Sequence, residues 1–124
     1  MPQERRPAMT PPVVFDDQAW AEDLLRASAT ARRVATEARG EFETNGISIA
    51  QLKACEPEGP AGTRLRHCVK VYLPAPDGPH GMVFEIERIS GRLRLLYVAF
   101  GLRHRGPEIR QPSVYEVAHR RLNR

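Results

Sequence analysis

The stretch FGLRHRGPEIRQPSVYEVAHRRLNR, from Phe100 to Arg124, sets Arg103, Arg105, Arg110, Arg120, Arg121 and Arg124 around His104, His119 and Tyr115. Guanidinium groups grip phosphate or carboxylate oxygens two at a time, and a histidine such as His104 can carry a proton near neutral pH. A solvated tail would waste that charge, but this stretch has the marks of a folded segment. Ser113 and Glu116 form a capping box behind Pro112, and Val114, Val117, Ala118 and Leu122 make an apolar stripe. Tyr115 and His119 stand one turn apart beside that stripe. The helix follows closely on an apolar strand, so Arg103, His104 and Arg105 at the strand end can face Tyr115. Charge held by structure can bind an anion.

A second basic series lies upstream in TRLRHCVKVYL. Leu65, His67, Val69, Val71 and Leu73 alternate with Arg64, Arg66, Cys68, Lys70 and Tyr72, which predicts a strand with one apolar and one basic face. In that register His67 reads as a hydrogen-bonded core histidine.

The elements that must position these groups follow from periodicity. MPQERRPAMTPP carries four prolines and no period, so residues 1–12 read as a disordered leader and 13–124 as one domain. Val13 to Phe15 suit a short edge strand, and Asp16-Asp17 an N-cap. Trp20, Ala21, Leu24 and Leu25 predict a first helix ending near Ser28. A second, from Ala29 or Thr30, puts Ala31, Val34, Ala35, Ala38 and Phe42 on one stripe and stops at Asn45-Gly46. Two short helices joined tightly make an antiparallel pair.

After the connector ISIAQLKACEPEGPAG and the basic strand, PAPDGPHG reads as a loop before MVFEIERI. Ser90-Gly91 then marks a hairpin to RLRLLYVAF. That turn places Glu87 opposite Arg94, Ile86 opposite Leu95 and Phe84 opposite Tyr97. Met82, Phe84, Ile86, Leu93, Leu95, Tyr97 and Ala99 then share the face that meets the helices, with Glu85, Glu87, Arg92 and Arg94 on the other. The expected class is α+β: two antiparallel N-terminal helices on a small antiparallel sheet, with a short C-terminal helix.

The 124 residues carry a net charge of +4 and are 41% hydrophobic and 27% charged, as in a globular domain. Only Lys53 and Lys70 are lysines among the cations. Two cysteines exclude a disulfide framework, and the absence of Cys-x-x-Cys or His-x-x-x-His spacing argues against a metal site; no cofactor is expected. No secretory segment or long apolar run occurs, so the expectation is a cytoplasmic protein with reduced thiols and no membrane partner.

The order of elements and several short motifs resemble the RelE/ParE superfamily of toxins from type II toxin–antitoxin systems. The matching residues are Leu52-Lys53, the basic strand from Arg64 to Tyr72, the hairpin from Met82 to Phe100, Gly101-Leu102-Arg103, and Val114-Tyr115 through Arg121-Leu122. The resemblance covers about Val13 to Leu122 and implies a RelE-like domain. It implies ribosome-dependent cleavage of mRNA, hence translation inhibition, without a metal. Such chemistry needs a proton taken from a 2′-hydroxyl, charge stabilised at phosphorus and a proton returned to the leaving oxygen, and fixed cations meet the second need. By matching position Arg103 is the phosphate clamp, Tyr115 the acid/base or base-stacking group, Lys70 a further cation and His104 a proton carrier. Lys53, Arg64, Arg66 and Arg105 are the RNA-binding set.

One departure bears on activity. Nuclease members open the hairpin with an arginine after a glycine and an aromatic, whereas this chain has His80, Gly81 and Met82; His80 or Arg105 would have to stand in. The loss points toward a ParE-like inhibitor that binds DNA gyrase without catalysis, or toward a RelE-fold binding protein with no toxin role. The resemblance also implies a cognate antitoxin as partner. An arginine-rimmed sheet face with Val83, Leu96 and Val98 as apolar steps suits an acidic segment of that kind.

Overall fold

The computed structural model describes residues 10–55, 65–104 and 111–123. The expected contributions of Arg64 and Arg105, and of residues 1–9 as a leader, lie outside these residues. The elements run β1 (Val13–Val14), α1 (Asp17–Arg26), α2 (Ala29–Asn45), a 3-10 turn (Ile49–Gln51), β2 (Lys53–Ala54), β3 (Cys68–Ala75), β4 (Gly78–Ile89), β5 (Arg92–Leu102) and α3 (Val114–Leu122). The strands form one sheet in the order β1-β5-β4-β3-β2. All neighbours are antiparallel except β1, which pairs parallel to β5 through Leu95 and Leu96.

Local chemistry sets the helix ends. Asp16 caps α1 by accepting from the Gln18 and Ala19 amides, both at 3.1 Å. Ser28 caps α2 through the Ala31 amide and donates its hydroxyl proton to Asp77 in the β3–β4 turn at 2.7 Å. Gly46, at φ 72°, takes the left-handed conformation that stops α2, and an added Cβ there would come 2.9 Å from the Pro11 carbonyl. Ser113 caps α3 by accepting from the Glu116 amide.

Both faces of the sheet are covered. On one, Trp20, Ala31, Ala35 and Phe42 of α1 and α2 pack with Val71, Met82, Phe84, Leu95, Tyr97 and Phe100. On the other, Val114, Tyr115, Val117 and Ala118 of α3 pack with Cys55, Leu65, Cys68, Val83, Val98 and Ala99.

Four expectations change here. The basic strand starts at Cys68 rather than Thr63, because Arg66 and His67 form a turn with His67 at φ 62°. That left-handed residue breaks the alternation, so His67 is exposed instead of core and Leu65 joins the α3 side. Second, PAPDGPHG is largely strand: Pro76-Asp77 alone turns the chain, and β4 already runs from Gly78. Pro74 and Pro79 stand opposite each other, and the Pro79 carbonyl faces β5, where it accepts from the Arg103 amide at 2.9 Å. Third, Phe84 does pair with Tyr97, but Val83 pairs with Ala99, so a bulge turns Ala99 to the α3 side and Phe100 to the α1/α2 side. Fourth, Val83 and Val98, expected as open apolar steps for a partner, are 0% and 6% exposed beneath α3.

Past Leu96, no strand among the described residues pairs with the outer edge of β5, and a buried ion pair seals that edge instead. Asp23 of α1 accepts from the Phe100 amide at 3.0 Å and from the Tyr97 hydroxyl at 2.5 Å. Arg121 of α3 donates to both Asp23 oxygens at 2.9 and 2.8 Å and to the Val98 carbonyl at 2.7 Å. One arginine from the basic tail thus fastens α3 to α1. Burial, then Asp23, hold the Tyr97 phenol far above its usual range, so it stays a hydrogen-bond donor.

Burial, with smaller effects from Cys55 and Glu85, pushes the Cys68 thiol up to about 12. The unfolded thiol ionises near pH 8.5 to 9 while the folded one keeps its proton, so the unfolded state binds fewer protons above that point. Stability is full below about pH 8.5 and should fall by up to about 1.4 kcal/mol per pH unit as pH rises toward the folded value. Urea titrations at pH 8 and pH 10 measure the loss. Cys68→Ala is expected to flatten it, and an unchanged slope would contradict this origin.

Candidate functional site

At the end of β5 farthest from the Ser90-Gly91 turn, on the α3 face, one tyrosine collects three cations. The Arg103 guanidinium lies 3.7 Å from the centre of the Tyr72 ring. The amino groups of Lys53 and Lys70 lie 5.3 and 5.5 Å from the same centre, and Lys70 is also 5.0 Å from the Tyr115 ring.

The sheet register explains the grouping. Lys53 on β2 is directly opposite Lys70 on β3, and Lys70 and Tyr72 are two residues apart, hence on one face. The next row runs Tyr72, Gly81, Gly101 across β3, β4 and β5. Neither glycine fills the surface there. Val114, at the start of α3, settles over Gly101, where an added Cβ would sit 3.7 Å from its own Cβ. At Gly81 an added Cβ would meet the Arg103 Cγ at 3.2 Å, tighter than most such contacts. The bare backbone of Gly81 is what lets the Arg103 side chain reach across to Tyr72.

Like charges directly opposite in a sheet repel, and here no carboxylate relieves them: among the described residues no ion pair involves Lys53, Lys70 or Arg103. The tyrosine rings supply partial compensation, about 0.5 to 2 kcal/mol per cation. Burial is the largest single effect on Lys70 and lowers its pKa. Tyr115, Tyr72 and Cys55, with a hydrogen bond to Tyr72, outweigh it, and the net shift is upward. Lys70 is therefore a fixed cation and not a general base. The arrangement can bind an anion of more than one charge, and it places the Tyr115 ring against that charge.

Of the expected site residues, Arg103, Lys70, Lys53 and Tyr115 come together. Tyr115 is buried, 6% exposed, so its ring belongs to the α3 core as well as to the cluster. His104 follows Arg103 directly and is exposed. Arg66 is in the turn before β3 and lines a shallow depression with Glu85, Leu122 and Asn123, near the C-terminal end of α3 rather than at the cluster. His80 cannot stand in for a hairpin arginine: it is 4% exposed, stacks on Phe100 at 5.3 Å on the α1/α2 side, and its Nδ1 bonds the Gly78 carbonyl. Two contributors escaped the sequence reading. Tyr72 was visible as the residue alternating with Lys70, but nothing marked its ring as the meeting point, and Gly81 matters only through the neighbour it admits.

The fold and site define an α+β domain, helices on both sheet faces, with a cation–tyrosine cluster at one sheet end that pairs with no carboxylate among the described residues. Compared with solved structures, the chain is similar to a mutant of the E. coli toxin RelE in the free state, at 18% identity and a TM-score of 0.39, covering 76% of this chain and 84% of that one. No protein-family model matches the chain, and no curated protein matches it significantly.

Proposed function

We propose that this protein is the toxin of a type II toxin–antitoxin system, with a RelE-like domain, and that it cleaves mRNA in the ribosomal A site without a metal. The observation that carries this reading is the gathering of Arg103, Lys70 and Lys53 around Tyr72, with Tyr115 alongside and no carboxylate paired with these cations among the described residues. RNA asks for this combination, because its backbone brings negative charge and its unstacked bases seek aromatic or guanidinium planes. Arg103 is the phosphate clamp, Lys70 and Lys53 add fixed charge that is worth most in the transition state, and the Tyr115 hydroxyl moves the proton, with His104 as the exposed second carrier. The partners are a cognate antitoxin and ribosome-bound mRNA, and the place of action is the cytoplasm.

Non-catalytic inhibition of DNA gyrase is the second reading. The absence of the hairpin arginine, in whose place this chain has His80, Gly81 and Met82, and the persistently cationic Lys70 favour it.

Primer extension on translated mRNA after induction, run beside a gyrase supercoiling assay, separates the two. Wild type is expected to produce discrete mRNA cuts, and Tyr115→Phe to lose about 10²-fold in cutting while binding RNA equally well, since the ring remains and the proton does not. Gyrase inhibition with no cuts would move the assignment to the second reading. Co-expression of the adjacent gene product that neither co-purifies nor relieves growth arrest would remove the toxin reading.

A further inference from the structure

The Arg103 guanidinium is held in an unusual way. A flexible arginine at a strand end is most often fixed by a carboxylate, in a bidentate pair that cancels its charge. Arg103 has no such partner among the described residues. Its backbone is set by the amide bond to the Pro79 carbonyl, its Cγ passes over Gly81, and its Nε is buried with no hydrogen-bond partner in the structure. Among the described residues, what remains to orient the planar group is the Tyr72 ring, 3.7 Å away. Guanidinium stacks on aromatic faces through its π system as well as its charge, which ammonium groups do not. The two lysines near the same ring push Arg103 outward, so without the ring the side chain would swing into water.

We propose that Tyr72 is a positioning residue: its ring, taking the place of a carboxylate, fixes the Arg103 fork at the site with its positive charge intact for an anionic ligand. In its functional consequence the role rests on the ribonuclease reading, but the geometry it asserts is independent of the ligand. The hydroxyl is secondary, because the guanidinium lies over the ring face itself. Gly81 is the permissive half of the device, since its backbone is in an ordinary extended strand and only the missing Cβ matters.

The full chain, labelled with nitrogen-15, is compared as wild type and as Tyr72→Phe, Tyr72→Leu, Gly81→Ala and Arg103→Ala. The Arg103 side-chain Nε–H resonance, assigned by its loss in Arg103→Ala, is expected at a ring-shifted position in wild type and Tyr72→Phe. It should relax to the free-arginine position in Tyr72→Leu and move partway in Gly81→Ala. Affinity for a single-stranded oligoribonucleotide, by fluorescence anisotropy, should fall about tenfold in Tyr72→Leu and stay within about twofold in Tyr72→Phe. Tyr72→Leu added to Arg103→Ala should cost nothing more, as expected of two residues acting as one.

An Arg103 resonance unmoved by Tyr72→Leu overturns the proposal, as does an equal loss of affinity from Tyr72→Leu with and without Arg103. Should Tyr72→Leu fail to fold, an unmoved resonance in Gly81→Ala overturns it in the same way. A wild type that binds no RNA, with the resonance behaving as described, leaves the positioning role supported and removes the ribonuclease reading.

Discussion

Arg103→Ala is expected to lower mRNA cleavage by about 10²- to 10³-fold, the loss typical of one preorganised donor in a transition state that gains charge. Arg103→Lys should recover only part, because a point charge cannot reproduce the bidentate fork and stacks less well on Tyr72. The protein should survive the change almost unaltered. Removing the side chain gives up one cation–ring contact, but it also removes an unsatisfied buried Nε and relieves repulsion from Lys53 and Lys70. These effects oppose one another, so thermal melts of wild type and Arg103→Ala should agree within a few degrees. Activity lost with stability kept is the signature of a group that touches substrate. Cuts that persist undiminished in Arg103→Ala would exclude the clamp, and a large fall in melting temperature would make Arg103 a structural residue.

Why Arg103 could be placed at a strand end from sequence while its neighbour Tyr72 could not is a matter of range. Arg103 sits in a local context, a strand end followed by a helix start, and local order is readable. Ser90-Gly91 likewise sets the hairpin register as far as Phe84 and Tyr97, since a two-residue turn leaves one pairing that keeps the apolar residues on one face. The capping residues Asp16, Ser28 and Ser113 and the Gly46 stop are local too. Beyond Tyr97 a single extra residue in the bulge reverses the sides, and alternating apolar letters such as Val98, Ala99 and Phe100 look the same in either phase. The same indifference hid the second core: Val83 and Val98 read as exposed steps because nothing local shows that α3 packs on that face. Tyr72, Gly81 and Arg103 are neighbours through three strands, a distance in sequence that no period spans. Arg121 is the opposite error, a cation grouped with the basic tail that the fold spends on Asp23.

That ion pair carries the largest expected effect on stability. Asp23→Ala removes the acceptor of the Tyr97 hydroxyl, the Phe100 amide and both Arg121 nitrogens at once. Asp23 is 3% exposed, so water cannot readily replace it, and among the described residues Arg121 is left with the rim residue Glu22 and backbone carbonyls. Breaking a buried pair by deleting one partner costs about 3–5 kcal/mol, chiefly the penalty of the charge left behind. For a domain of this size that corresponds to a fall of about 12–19 °C in Tm. The two-sided change should be milder: Asp23→Ala combined with Arg121→Met removes the stranded charge together with its partner, so the double variant should be more stable than the sum of the single losses predicts. Urea unfolding of the four proteins measures this coupling. The pair also joins α1 to α3 around the open edge of β5, and Tyr115 rides on α3, so Asp23→Ala should loosen the cation cluster's tyrosine while leaving Arg103 and Tyr72 on the sheet. Asp23→Ala costing under about 1 kcal/mol, the range of an exposed pair, would show that the β5 edge is held by something other than this carboxylate.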